Sequence, residues 1–228
     1  MQPRGFGQEQ VIARRPSAAD VLSTNKVLRS TYMLLAATLL FSALMAMVAM
    51  AVQMPYLGPF VTLGGYFGLL FLTHMTRNSA MGLVSVFALT GFMGLTLGPL
   101  LSAYLTMVPN GGQVIASALA TTGLAFVGLS AYALMSGKDF SFLRGFVIVG
   151  VFALLGVILA SLFFDLSAYA SVISGAIILL MGALILFQTG QIVHGGETNY
   201  IMATVTLYVS IYNIFVSLLQ LFGMAGDD

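Results

Sequence analysis

Cysteine is absent from the 228 residues, which excludes disulfides, thiolate metal sites and a cysteine nucleophile. Charge is scarce as well. Eight Lys and Arg and seven Asp and Glu make up 7% of the chain, with a net charge of +1. A soluble domain carries about 25% charged residues, so this chain cannot cover itself with a water-facing surface. The near-zero balance also excludes a sizeable nucleic-acid-binding patch. The two His, His74 and His194, lie far apart at predicted helix ends. They form neither the paired cluster of a zinc protease nor the membrane-embedded partner of an intramembrane serine nucleophile. No predicted helix interior offers a Lys for a retinal Schiff base. The residues therefore point away from an enzyme, with no catalytic, cofactor-binding or metal site. The opening stretch MQPRGFGQEQVIARRPSAAD lacks the short apolar core and cleavage site of a signal peptide.

What the chain has in abundance is apolar surface. Hydrophobic residues make up 59%, and the mean hydropathy is +1.02. This composition defines an all-α integral membrane protein. At about 20 residues per span, seven runs emerge: 32–52, 57–74, 83–104, 114–135, 142–164, 169–189 and 200–222. Gly, Pro and Asn punctuate the gaps, which are too short to hold a soluble domain. The expected organisation is a flexible tail over residues 1–25 and a seven-helix transmembrane domain over 26–228.

Lys and Arg set the orientation. Arg4, Arg14, Arg15, Lys26 and Arg29 precede the first run, and Arg77, Lys138 and Arg144 fall on the same side. The opposite side receives only acids, Asp165 and Asp227–Asp228. The expectation is a cytoplasmic N-terminus and a C-terminus outside, which requires an odd number of spans. The tail reads either as a handle for a partner or as a basic segment that sets topology and nothing more.

Buried charges mark ion paths in membranes, and the predicted helix interiors contain none. That weakens a proton-coupled transporter. The Met cluster Met45, Met47, Met50 and Met54 reads as flexible filler more readily than as a copper(I) site. Gly64 and Gly68, and Gly94 and Gly98 with Gly91, have the spacing that brings helix backbones together. They serve packing within the bundle, or a hinge or dimer face. Pro99 is expected to kink the third helix.

Polar residues remain in the last two helices. Ser210 and Asn213 lie three apart and share a side of the seventh helix, Ser210 about 15 Å from its start at 1.5 Å per residue. Gln188 lies in the same half of the sixth. They read as hydrogen-bonding glue between helices or as a ligand or ion site.

The stretches LYVSIYNIFVSLL, GKDFSFLRGF, QIVHGGETNYIMATVTLY and GFMGLTLGPLLSAY resemble the Bax inhibitor-1 family from about residue 22 onward. STNKVLRSTYMLL, HGGETNYI and YNIFVSLLQLFG are similar to its bacterial YccA-like branch, described as modulators of the FtsH membrane protease. The resemblance implies a seven-helix bundle with the last helix central. It implies a multi-pass protein of the bacterial inner membrane with a periplasmic C-terminus and an FtsH-type AAA protease complex as partner. It also implies, as the alternative, a pH-sensitive calcium leak. In members with that activity an acid in the sixth helix pairs with one in the seventh, and these positions fall on Gln188 and Ser210. An amide and a hydroxyl do not titrate near neutral pH and carry no charge for a hard cation. The resemblance therefore favours partner binding over the leak. Arg77 falls where some members carry a basic latch, and with no acid to hold its simplest role is topology. Arg77, His194 and Glu197 are the candidate contacts on the cytoplasmic face.

Overall fold

A computed structural model describes residues 25–225. The predicted tail, with Arg4, Arg14 and Arg15, and the terminal Asp227–Asp228 lie outside the described residues. Seven α-helices follow one another: α1 (Lys26–Ala51), α2 (Gly58–Thr76), α3 (Ala80–Met107), α4 (Gly111–Ser136), α5 (Leu143–Ser161), α6 (Ala170–Val193) and α7 (Tyr200–Ala225). A single 3₁₀ turn, Ser167–Tyr169, leads into α6.

Most helices run past the hydrophobic stretches that reveal them. Helix α1 begins at Lys26 rather than 32 because the Asn25 side chain caps it, accepting the Leu28 N–H at 3.0 Å. A capped first turn outside the hydrocarbon is invisible to a hydropathy count. Helix α6 likewise extends to Val193, four residues beyond the expected end. Helix α5 instead stops at Ser161, three residues short of the expected end. Pro99 lies inside α3, which continues to Met107. Among the described residues six helices are long and apolar enough to cross a membrane. The exception is α2, whose run of Gly, Thr, Tyr and His dilutes its hydropathy.

Helix α7 is the centre of the bundle. In its most apolar window 67% of residues are buried, against 6% to 44% in the other five candidate spans. It packs on α1, α3, α4 and α6. Its Leu207, Tyr208, Ile214 and Leu219 are fully enclosed. Because lipid is as apolar as Leu, close packing and hydrogen bonds hold such helices together rather than the hydrophobic effect.

The glycines divide accordingly. A Cβ on Gly94 would collide with the Ser42 carbonyl, and one on Gly98 would meet the Ala46 carbonyl at 2.9 Å. A Cβ on Gly91 would press on Phe41. These three seat α3 against α1. Gly64 and Gly68 do not do the same for α2, since a Cβ on either meets nothing within 4 Å. The α2 glycine that faces protein is Gly65, whose Cβ would strike the Phe92 ring. The four-residue spacing was the same in both helices; what faces it differs.

Side-chain bonds knit one end of the bundle. Asn25 Nδ2 donates to the Ile192 carbonyl at 3.1 Å, tying the start of α1 to the end of α6. Gln191 Nε2 donates to Ser141 Oγ at 3.2 Å, ahead of α5. Asn199 Nδ2 donates to the Arg77 carbonyl at 3.1 Å and to Asn78 Oδ1 at 2.8 Å, tying α7 to the α2–α3 turn. Lys26, Arg29, Arg77, Lys138 and Arg144 all belong to this end, where α1, α5 and α7 start and α2, α4 and α6 finish. At the far end Ser174 Oγ donates to Gln220 Oε1 at 2.7 Å.

Candidate functional site

The polar groups of α7 fall on two faces. On the first, Thr204 Oγ1 donates to the Tyr200 carbonyl at 2.7 Å and reaches the Thr31 carbonyl of α1 at 3.2 Å. One turn on, the Tyr208 hydroxyl lies 2.5 Å from Ser42 Oγ of α1 and 3.3 Å from the Thr90 carbonyl of α3. Tyr208 is 1% exposed, so its hydroxyl must find its partners inside the protein. It joins three helices through one atom. The stretch LYVSIYNIF directed attention to Ser210 and Asn213, yet its interhelical polar contact is made by the tyrosine two residues before Ser210.

The second face holds the predicted residues. Ser210 is fully buried, and its hydroxyl donates to the Thr206 carbonyl of its own helix at 2.8 Å. Asn213 Nδ2 donates to the Val209 carbonyl at 2.8 Å. Such back-bonding satisfies a polar side chain without a neighbouring helix. Gln188 on α6 is 7% exposed, and its Nε2 has no hydrogen-bond partner. The structure joins Gln188 and Ser210 by no hydrogen bond. Among the described residues three more polar atoms are buried without partners: the hydroxyls of Tyr32, Ser130 and Thr189. Ser130 and Thr189 face the Tyr32 hydroxyl, where α1, α4 and α6 meet.

A cavity of about 850 Å³ opens beside this second face. Helix α2 forms one wall and α5 the other, with α3, α6 and α7 behind them. It exists because α2 packs chiefly on α3 and α5 chiefly on α6, leaving the space between them unfilled. Asn213, Thr206 and Tyr212 of α7 line it, with His74 at the basic end; Ser210 and Gln188 do not. A second cavity of about 450 Å³ lies across α7, bounded by α1, α3 and α4, and Tyr212 lines both.

The remaining candidates cap helices. Arg77 closes α2, and its guanidinium approaches His74 Nδ1 at 3.4 Å. His194 closes α6, its Nδ1–H donating to the Gly190 carbonyl at 2.9 Å. Glu197 Oε1 accepts the Asn199 N–H at 2.7 Å. Asn199 itself, missed in the sequence, accepts the N–H groups of Ile201 and Met202 at 3.1 and 3.0 Å. An Asn directly before a helix is the available signal. In the α4–α5 turn, the Ser141 hydroxyl and N–H hold the Asp139 carboxyl below the ordinary carboxylate range. No group of three His, Cys, Asp or Glu capable of holding a metal occurs among the described residues.

A seven-helix membrane bundle around a buried final helix, with uncharged polar groups beside a lateral cavity, defines a multi-pass membrane protein. The family pattern described as "Inhibitor of apoptosis-promoting Bax1" matches residues 24–227, and the chain belongs to the Bax inhibitor-1 family. It is 57% identical to an uncharacterized protein of Pseudomonas aeruginosa over 97% of this chain and 99% of that one. It is 47% identical to the Escherichia coli K12 protein named "Modulator of FtsH protease YccA", over 96% of this chain and 100% of that one. An equally similar protein of a second E. coli strain is named "Inner membrane protein YccA". The first of the two E. coli names is that of a protease modulator and the second that of an inner membrane protein.

Proposed function

We propose that the chain is a regulatory protein of the bacterial inner membrane that binds an FtsH-type protease and restrains its proteolysis. What carries the reading is the 47% identity, along the whole length, to the E. coli protein bearing that name. The bundle fits such a role. Its helices are joined by short turns, and its last helix is locked to two others, α1 and α3, through Thr204 and Tyr208. A membrane substrate must be pulled apart to be degraded, and a bundle closed around its C-terminal helix resists extraction. In this account the basic end faces the cytoplasm and the C-terminus the periplasm. The N-terminal tail engages the protease, with Arg77, His194 and Glu197 on the same face. The test is gentle solubilisation of the native membrane, capture through a C-terminal tag and mass spectrometry of what co-purifies. The reading expects the protease at near-stoichiometric yield and its loss when residues 1–20 are removed. Its absence while other membrane complexes survive the same extraction contradicts the reading.

A second reading, a cation leak, draws on the cavity lined by Asn213 and Thr206 and on the unsatisfied Gln188 amide. Its difficulty is chemical: no carboxylate stands at Gln188 or Ser210 to hold calcium. Calcium flux into liposomes that falls with Asn213→Leu and Ser210→Leu supports this reading, and flux indifferent to both removes it.

A further inference from the structure

The lateral cavity has a polarity along its length that its lining alone does not reveal. From Thr62 to His74 it follows α2 for twelve residues, about 18 Å. Most of its wall is apolar, with Phe67 and Phe71 on α2 and Leu155 and Ile158 on α5. At one end both flanking helices carry an arginine on the face that lines the cavity. On α2 the stripe Tyr66, Leu70, His74 leads to Arg77 at helical spacing. On α5 the stripe Ile158, Leu155, Val151 leads back, two turns further, to Arg144. The end of α2 and the start of α5 lie at the same end of the bundle, so both arginines lie beyond the His74 end of the cavity, and neither lines it. Arg144 is exposed. Among the described residues the polar neighbour of the Arg77 guanidinium is His74, which is not a carboxylate.

We infer that this cleft is a seat for one anionic phospholipid of the bilayer, with its acyl chains between α2 and α5 and its headgroup phosphate between Arg77 and Arg144. A bilayer lipid presents the same order of chemistry as the cleft, an apolar length ending in a charged group. A cavity of this size matches a flexible ligand of a few tens of atoms. Charge selects the headgroup, because paired cations at a membrane interface favour anionic over zwitterionic lipid. Asn213 and Thr206 face the tails, and each donates a hydrogen bond to its own helix, which lowers the cost of an apolar chain against them. The inference stands independently of the protease reading.

The test is a titration of the purified, delipidated full chain with phosphatidylglycerol and separately with phosphatidylcholine, bound lipid being counted by native mass spectrometry. One phosphatidylglycerol is expected to be retained in preference to phosphatidylcholine. The double substitution Arg77→Gln with Arg144→Gln, both outside the packed core, is expected to weaken it by about thirtyfold. Leu155→Trp, which fills the cleft, is expected to abolish retention. If Leu155→Trp fails to fold, the arginine pair decides. Equal retention of the two lipids, or phosphatidylglycerol binding unchanged in the arginine variant, overturns the inference. So does a photo-crosslinker at residue 155 that captures a protein rather than lipid in native membranes.

Discussion

The hydroxyl of Tyr208, on the buried last helix, lies 2.5 Å from the hydroxyl of Ser42 on the first, 166 residues earlier. This contact, continued at 3.3 Å to the Thr90 carbonyl, fixes α7 against α1 and α3. Tyr208→Phe is therefore expected to destabilise the bundle by about 1–2 kcal/mol. Ser42→Ala should cost less, because Tyr208 keeps the Thr90 carbonyl. Unfolding in mixed micelles checks this, and the double variant should fall short of the sum of the two.

The α1–α3 seam predicts an asymmetry among glycines of identical spacing. Gly94→Ala places a Cβ against the Ser42 backbone, which cannot swing aside, and is expected to cost about 1–3 kcal/mol. Gly68→Ala meets open space and should be neutral or slightly stabilising, since Ala favours the helix. Thermal melting of the two variants in one detergent separates them.

Asn199 predicts a local effect. Its side chain caps α7 and reaches back to Arg77 and Asn78. Asn199→Ala should cost about 1–2 kcal/mol. Hydrogen exchange should rise in the first turn of α7 and in the α2–α3 turn, with residues around Tyr208 unchanged.

The α4–α5 turn predicts a pH response. Ser141 lowers the Asp139 pKa chiefly through its hydroxyl and then through its N–H. A depressed carboxyl stabilises the turn above its unfolded value and loses that contribution as pH falls below about 4. Ser141→Ala should move the Asp139 titration upward, as carboxyl carbon NMR would register. An unchanged titration contradicts the assignment.

How much of this was legible in the sequence depends on which physical rule each feature obeys. Hydrophobic length counts lipid-crossing residues, so seven helices appeared with their order correct and many of their ends short. Asn25 and Asn199 carry a local capping signal, but a count of apolar residues passes over it, and both caps were missed. Tyr208 carries no such signal. Its importance comes from Ser42 and Thr90, which lie far away in the chain, and a tyrosine in a membrane helix reads as apolar until its partners are known. Gln188 and Ser210 were placed as a pair by resemblance. Resemblance aligns positions, while the Ser210 hydroxyl turns to its own backbone. The cleft between α2 and α5 was also beyond reach, since no sequence pattern states which helices fail to touch.

The central claim is restraint of a membrane protease, and its most direct measurement is a rate. The purified full chain and an FtsH-type protease, co-reconstituted in liposomes with ATP and a membrane substrate, give the degradation rate against the amount of chain added. The account predicts a saturable fall in rate, lost when residues 1–20 are removed, with the chain itself remaining intact. A degradation rate that stays constant at saturating chain contradicts it.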